Sequence, residues 1–155
     1  MPAAEFSDEQ VLQSFPQVRL DHRNKAFYRA LLCHELVASR CRHCGAWHTP
    51  LRSVCPECWS PDVAVTPVTG RGQIHLLILL HQGPPAADVS YAAPWPLAAV
   101  EMEEQPGLRF VGTIVGCPPE RLRIGLPVEV TWIERDGGPW FAFRPANATD
   151  TSGEG

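Results

Sequence analysis

Cys41-Arg42-His43-Cys44, ten intervening residues, then Cys55-Pro56-Glu57-Cys58: this stretch decides how the chain is read. Two residues between the members of each pair let a tight turn aim both sulfurs at one point, and four thiolates complete a tetrahedron around a metal ion. Gly45 follows the second cysteine, where such a turn crowds the backbone. From Cys41 to Pro61 the chain carries three prolines and one glycine and cannot build a core from its own apolar residues. The spacing therefore predicts a zinc ribbon, with Cys41, Cys44, Cys55 and Cys58 binding one structural Zn²⁺. The metal contributes on the order of 10 kcal/mol of apparent binding energy to folding. A closed four-sulfur site leaves no position for substrate, so catalysis at the metal is not expected. Two disulfides or four free thiols are the alternative reading, and iron is the closer competitor to zinc.

Working outward, the bulk composition places this stretch in a globular chain of 155 residues, 45% hydrophobic and 19% charged. No apolar run approaches the roughly 20 residues that a membrane helix needs; the longest, Ile74 to Leu80, is strand-sized and interrupted by His75. The first residues, Met1-Pro2-Ala3-Ala4-Glu5, lack the basic start and apolar stretch of a signal peptide, which leads to the expectation of a cytoplasmic protein with reduced thiols. The formal net charge of −4 is unevenly spread. Arg19 to Arg71 holds eight Lys or Arg against four Asp or Glu, and the chain from Gly72 onward holds five against ten. An acidic second half argues against general nucleic-acid binding, which usually needs a basic excess.

Ser7-Asp8-Glu9-Gln10 has the form of a capping box, predicting a short helix through Phe15 that ends at Pro16. Asp21 is a second N-cap candidate before a helix from His22 to about His34, with Phe27, Leu31 and His34 on one face and Ala26 and Ala30 beside them. Leu36 to Arg40 and Val63 to Val68 read as strands flanking the cysteine stretch. Beyond Gly70-Arg71-Gly72 the strand candidates are Gln73 to His81, Leu97 to Met102, Leu108 to Val115, Val128 to Glu134 and Pro139 to Phe143. Asp136-Gly137-Gly138 is a hairpin turn between the last two. Strands of this length with Gly and Pro turns predict a small barrel or sandwich. His81 to Pro96 is a long proline-rich loop, and 147–155 reads as a disordered tail containing an incidental Asn147-Ala148-Thr149 sequon.

The remaining chemistry is sparse. Glu101, Glu103 and Glu104 could form a paired-carboxylate site, though a charged strand end is the commoner reason for such a cluster. Cys33 and Cys117 read as buried free cysteines, and His43 and His48 as neighbours of the metal site rather than ligands. Gly70-Arg71-Gly72 is too short for a nucleotide fingerprint. Trp47, Trp59, Trp95, Trp132 and Trp140 lack the basic interleaving of a base-stacking platform and read as core or interface residues.

In order, these features are Ala26-Phe27-Tyr28-Arg29-Ala30-Leu31, Glu35-Leu36-Val37-Ala38-Ser39-Arg40 before the first cysteine pair, Gly70-Arg71-Gly72-Gln73-Ile74, and Leu122-Arg123-Ile124-Gly125-Leu126-Pro127-Val128-Glu129-Val130. The succession resembles the Zn-ribbon domain-containing OB-fold proteins, an acyl-CoA-associated family long labelled a domain of unknown function, over roughly Asp21 to Pro145. The resemblance implies a mainly β fold: an N-terminal helical segment (1–35), a rubredoxin-like zinc ribbon (36–68) and a five-stranded OB-fold barrel (69–146). It departs from the family pattern at Pro94-Trp95, where Pro-Tyr is usual, at the turn Glu103-Glu104-Gln105-Pro106-Gly107, and at Trp59, which replaces the glycine of a rubredoxin knuckle and favours zinc over iron.

The same resemblance implies a non-catalytic accessory subunit of a thiolase-like enzyme, a lipid-transfer-type or steroid side-chain retro-aldolase, or an acyl-CoA hydratase, and hence a hetero-oligomer. CoA or acyl-CoA is then a possible ligand. Its phosphates would need cations near the ribbon–barrel junction, for which Arg40, Arg42, Arg52 and Arg71 are the candidates. The loop from His81 to Pro96 is the candidate partner contact. A single-stranded nucleic-acid-binding ribbon and barrel is the second reading, and the acidic barrel half counts against it. No nucleophile–base constellation suggests an independent enzyme.

Overall fold

The computed structural model describes residues 5–86 and 89–146; the expected tail at 147–155 and the Asn147 sequon lie outside the described residues. The capping box forms as read. The Ser7 hydroxyl accepts from Gln10 N–H at 3.2 Å and the Gln10 side chain accepts from Ser7 N–H at 2.8 Å, starting helix α1 (Asp8–Ser14). Helix α2 is shorter than the sequence suggested, Lys25–Leu32. Asp21 caps a turn that precedes it: its carboxylate accepts from the amides of Arg23 and Asn24, while the Asn24 side chain accepts from Asp21 N–H, so 22–24 are fixed before the helix begins. Ala30 and Leu31 are buried, and Phe27 and Tyr28 pack on the barrel, with Phe27 meeting Trp140 and Phe141 edge-on at 6.4 Å. His34 lies beyond the helix at φ 55° and stacks on Trp132 at 5.0 Å.

The ribbon is a three-stranded antiparallel sheet, β2 (Trp47–His48), β1 (Val37–Cys41) and β3 (Val63–Pro67), in that order. The two-residue β2 carried no sequence signal, being too short for any alternation to register. Leu36 and Ala38 place this sheet in the same buried core as Val11, Leu31 and the barrel strands.

The second sheet holds β4 (Arg71–Leu80), β5 (Trp95–Met102), β6 (Arg109–Thr113), β7 (Pro127–Arg135) and β8 (Gly138–Pro145), ordered β6-β5-β4-β7-β8 with every ladder antiparallel. The seam between β6 and β8 is held by one parallel bridge, Ile114 to Phe143, with Val115 N–H donating to Phe143 O at 2.8 Å. The result is the OB-fold order with a seam joined at one point rather than along a full ladder. β5 shows the alternation of a strand with one face inside: Pro96, Ala98, Val100 and Met102 are buried, and Trp95, Leu97, Ala99 and Glu101 are partly exposed. Trp95 and Pro96 belong to this strand, so the proline-rich loop is shorter than His81 to Pro96. The hairpin between β7 and β8 is a two-residue turn with Asp136 at φ 52° and Gly137 at φ 90°, and Gly138 already pairs with Arg135. Both central residues in left-handed space make this the turn that matches strand twist.

Gly70-Arg71-Gly72 joins ribbon to barrel by close approach. Gly70 sits at φ 82° with its carbonyl accepting from Val130 N–H at 2.7 Å. A Cβ on Gly72 would lie 2.3 Å from the Glu101 carbonyl oxygen, a backbone atom that cannot step aside. Gly72→Ala is therefore expected to destabilise the protein by about 2 kcal/mol or more, measured by urea denaturation at saturating zinc; an unchanged midpoint would contradict this packing.

Candidate metal centre and barrel face

The four predicted cysteines converge. Their sulfurs all lie within 4.8 Å of one another, with Cys41–Cys58 at 3.7 Å and Cys44–Cys55 at 3.6 Å. Four sulfurs about 2.3 Å from one ion are about 3.8 Å apart in a tetrahedron, whereas a disulfide needs about 2.05 Å. The spacing fits a four-coordinate ion and no disulfide.

Each pair sits in a knuckle. Gly45 N–H donates to Cys41 O and Trp59 N–H donates to Cys55 O, both at 2.9 Å, while Cys44 N–H points at Cys41 Sγ at 3.5 Å. Donation from the Cys44 amide, with that of His43 adding to it, outweighs burial and holds the Cys41 thiol down at about 6. At Cys58 the Ser60 amide pulls down, but burial and the other three thiols overrule it and push the group up to about 12. Thiols this close share protons among themselves, and a bound cation is what allows all four to ionise together.

His48 adds a contact from outside the four: its Nε2 is 3.7 Å from Cys55 Sγ, the position of a supporting hydrogen bond rather than of a ligand. The first knuckle turns at Gly45 (φ 78°) and the second at Trp59 (φ 63°). Trp59 thus makes the same left-handed turn and the same backbone hydrogen bond in the second knuckle that Gly45 makes in the first. It puts an L-residue into left-handed space and leaves the indole 79% exposed.

Each of the four arginines is engaged locally. Arg42 pairs with Asp62 at 3.3 Å, Arg71 pairs with Glu103 at 3.0 Å, and the Arg40 guanidinium lies 5.1 Å over the Trp47 ring. Arg52 engages Ser39 through its backbone, its N–H donating to Ser39 Oγ at 2.8 Å. The three glutamates are separately committed as well. Glu101 accepts from Gly107 N–H and Arg109 Nε, which hold its carboxyl below the usual range. Glu103 is lowered by Arg71. Glu104 accepts from the Thr69 amide. Cys33 and Cys117 are half-buried rather than buried.

Two features had no motif to announce them. Gln105, in the β5–β6 turn, clamps β2 through its side-chain amide: Trp47 N–H donates to Gln105 Oε1, and Gln105 Nε2 donates to Trp47 O, both at 2.9 Å. On the barrel, a cavity of about 500 Å³ lies between the β4–β5 loop and the β7–β8 hairpin. Its walls include Leu80, Trp95, Leu97, Val111, Ile133 and Phe141, and among the described residues its charged ones are Glu134 and Arg135. The Arg135 guanidinium is 5.6 Å over Trp140. Loop and sheet-face positions of this kind are where OB-folds take ligands, and here they are apolar. Among the described residues no helix is long and apolar enough to cross a membrane.

Cys44→Ser is expected to lower bound zinc well below one per chain and to reduce cooperative unfolding; full zinc occupancy in that variant would contradict the assignment. Trp59→Gly is expected to keep zinc stoichiometry and raise stability by up to about 1 kcal/mol by relieving the left-handed backbone. Metal analysis and denaturant titration read both outcomes.

Comparison with known proteins places the chain. The ChsH2 rubredoxin-like zinc ribbon domain matches residues 30–64, and the ChsH2 C-terminal OB-fold domain matches residues 65–132. A DUF35 domain-containing scaffold protein of Methanocaldococcus jannaschii is 34% identical over 66% of this chain and 72% of its own length. A probable enoyl-CoA hydratase alpha subunit of Thermomonospora curvata is 33% identical over 84% of this chain. The match spans only 40% of that subunit's length. Among solved structures, the Ltp2-ChsH2(DUF35) aldolase contains a chain that is 31% identical, with a TM-score of 0.73 and coverage of 84% of this chain and 99% of that one. Ribbon, barrel and their order along the sequence agree throughout: the chain belongs to the DUF35 family of zinc-ribbon and OB-fold proteins typified by ChsH2.

Proposed function

We propose that this chain is a non-catalytic accessory subunit, acting in the cytoplasm, that carries a structural zinc and docks onto a thiolase-like, retro-aldolase or hydratase-type enzyme acting on acyl-CoA. The observation that carries the reading is the end-to-end correspondence with the DUF35 chain of the Ltp2-ChsH2(DUF35) aldolase, 99% of which is covered. The barrel supports it. A face lined by Leu80, Trp95, Leu97 and Val111 suits an apolar surface or acyl chain, and it lacks the basic groove that single-stranded nucleic acid requires.

The metal in this reading is zinc: the family's ribbon is a zinc ribbon and the four-sulfur set is the one that zinc uses structurally. CoA would be held at the ribbon side of the molecule, its phosphates met by arginine. Arg40 and Arg52 have no carboxylate partner among the described residues. Arg42 and Arg71 would have to exchange Asp62 and Glu103 for phosphate. The substrate class is a lipid, steroid side-chain or polyketide acyl-CoA.

Purification under native conditions is expected to yield a stoichiometric partner identified by mass spectrometry as an acyl-CoA thiolase, aldolase or hydratase. Val111→Lys is expected to weaken that complex by about tenfold, about 1.4 kcal/mol, with zinc content unchanged. Salt-sensitive binding of single-stranded DNA with no such partner would overturn the reading. Enzymatic turnover of acyl-CoA by the isolated chain would remove its non-catalytic part.

A further inference from the structure

From Gly72 onward the chain holds ten Asp or Glu against five arginines. In so acidic a stretch every arginine has carboxylates to choose from. Arg109 pairs with Glu101 at 3.1 Å, Arg144 pairs with Glu129 at 3.0 Å, and Arg135 lies over Trp140. The remaining two, Arg121 and Arg123, have no carboxylate partner among the described residues, and both line one cavity of about 270 Å³. Its other walls include Cys117, Pro118, Leu126 and Pro145, where the segment between β6 and β7 meets the end of β8.

The backbone holds the two arginines together. Leu122 is extended (φ −77°, ψ 138°), and in extended chain the residues on either side of a position point the same way. The Leu122 side chain is buried in the core, so Arg121 and Arg123 are turned away from it. The segment has little freedom to separate them. Arg121 N–H donates to Pro118 O at 3.0 Å and Leu122 N–H to Pro119 O at 3.2 Å. Just beyond, Gly125 N–H donates to Ile74 O at 2.7 Å, and Leu126 O accepts from Ile74 N–H at 3.0 Å. Two guanidiniums fixed on one side of a short extended segment repel each other unless an anion lies between them.

Other cavities of the molecule carry their own counter-charge. The barrel-face cavity has Glu134, the cleft between α2 and the ribbon has Asp21, and the one beside the β7–β8 hairpin has Asp136. The cavity at Arg71 has Glu101 and Glu103. At Arg121 and Arg123 the lining holds no carboxylate, and even Glu120, adjacent in sequence, is not part of it.

We infer that this cavity binds the phosphate monoester group of a small organic molecule, with Arg121 and Arg123 as its cations. Charge selects the group: a phosphate monoester carries nearly two negative charges at neutral pH, matching two guanidiniums, whereas a carboxylate supplies one. Geometry agrees, because the planar fork of arginine matches phosphate oxygens. Pro118, Leu126 and Pro145 give an apolar wall for the carbon beside the ester oxygen. The volume lies below the roughly 300 Å³ at which pockets enclose a whole drug-sized ligand, so the phosphoryl end is what it receives. A polynucleotide would need a longer run of cations. The inference uses neither the ribbon nor the acyl-CoA reading. CoA is one source of such a phosphate and other organic phosphates are the alternative, and the experiment separates them.

Titration of the zinc-loaded full chain with phenyl phosphate near neutral pH, followed by residue-resolved NMR, tests it. The expected result is saturable shifts centred on Cys117, Arg121 and Arg123, with benzoate binding about tenfold or more weakly. Arg121→Gln and Arg123→Gln are each expected to weaken phenyl phosphate by about tenfold. Arg19→Gln, an equal charge change at an exposed arginine outside the cavity, is expected to leave binding unchanged. Shifts that never saturate overturn the inference, as does binding that survives both cavity variants. Benzoate binding as tightly as phenyl phosphate would overturn the assignment to phosphate. Competition by the adenosine bisphosphate portion of CoA would identify CoA as the source; phenyl phosphate binding without that competition supports the site for another organic phosphate. Neither result alters which partner co-purifies, so the two readings fail separately.

Discussion

Convergence of four sulfurs within 4.8 Å is the constraint on which the rest of the structure depends. The ribbon segment has almost no core of its own: Cys41 and Cys55 are buried, while Cys44 and much of both knuckles are exposed. Its strands are short, and β2 is only two residues. A sheet of three such short strands with little apolar face of its own is marginal in water, so geometry has to be imposed by something stronger than apolar burial. Bringing four thiols together without a cation concentrates protons that they do not share equally, which is why Cys41 and Cys58 are driven in opposite directions. With a cation the cluster is the fixed point from which β1 and β3 run.

From that point the ribbon is tied to the barrel at several places. Leu36 and Ala38, on or beside β1, share the core with Ile74, Val100 and Phe141 of the barrel. Gln105 reaches from the β5–β6 turn to satisfy both backbone groups of Trp47, and Glu104 beside it accepts from Thr69 in the ribbon–barrel connection. The helices close the other side through Phe15, Phe27 and Tyr28 around Trp140. Cysteine cluster, polar clamp and aromatic cluster thus hold three pieces, none of which has a separate core, as one packed unit.

Much of this was legible in the sequence because it is local. The cysteine spacing, the Ser7–Gln10 capping box, the alternation of β5 and the Asp136-Gly137 turn each obey a rule spanning a few residues. What escaped is what depends on distant partners. Gln105 looks like any turn residue until Trp47 lies beside it, 58 positions away in sequence. Arg42 and Arg71 read as available cations until folding brings Asp62 and Glu103 to them. Trp59 read as a departure from a glycine, but the knuckle's hydrogen bond to Cys55 O sets the backbone conformation, and the side chain accommodates it. Sequence likewise gave β4 its strand, but not which of its edges would be left uncovered, because that depends on where β7 begins at Pro127.

The informative positions are therefore those where the fold carries a cost that its own packing does not offset. A tryptophan in left-handed space and largely in solvent contributes little to a core, and a glycine would close the same turn more cheaply. On β4, 76–80 is uncharged and has no strand on its β7 side among the described residues. The barrel face is apolar and aromatic, lined by Leu80, Trp95, Leu97, Val111, Ile133 and Phe141, with Arg135 over Trp140. Folding alone requires none of the three. Trp59 adjoins Cys58 in the second knuckle and the other two belong to the barrel sheet, so no single local constraint accounts for all three.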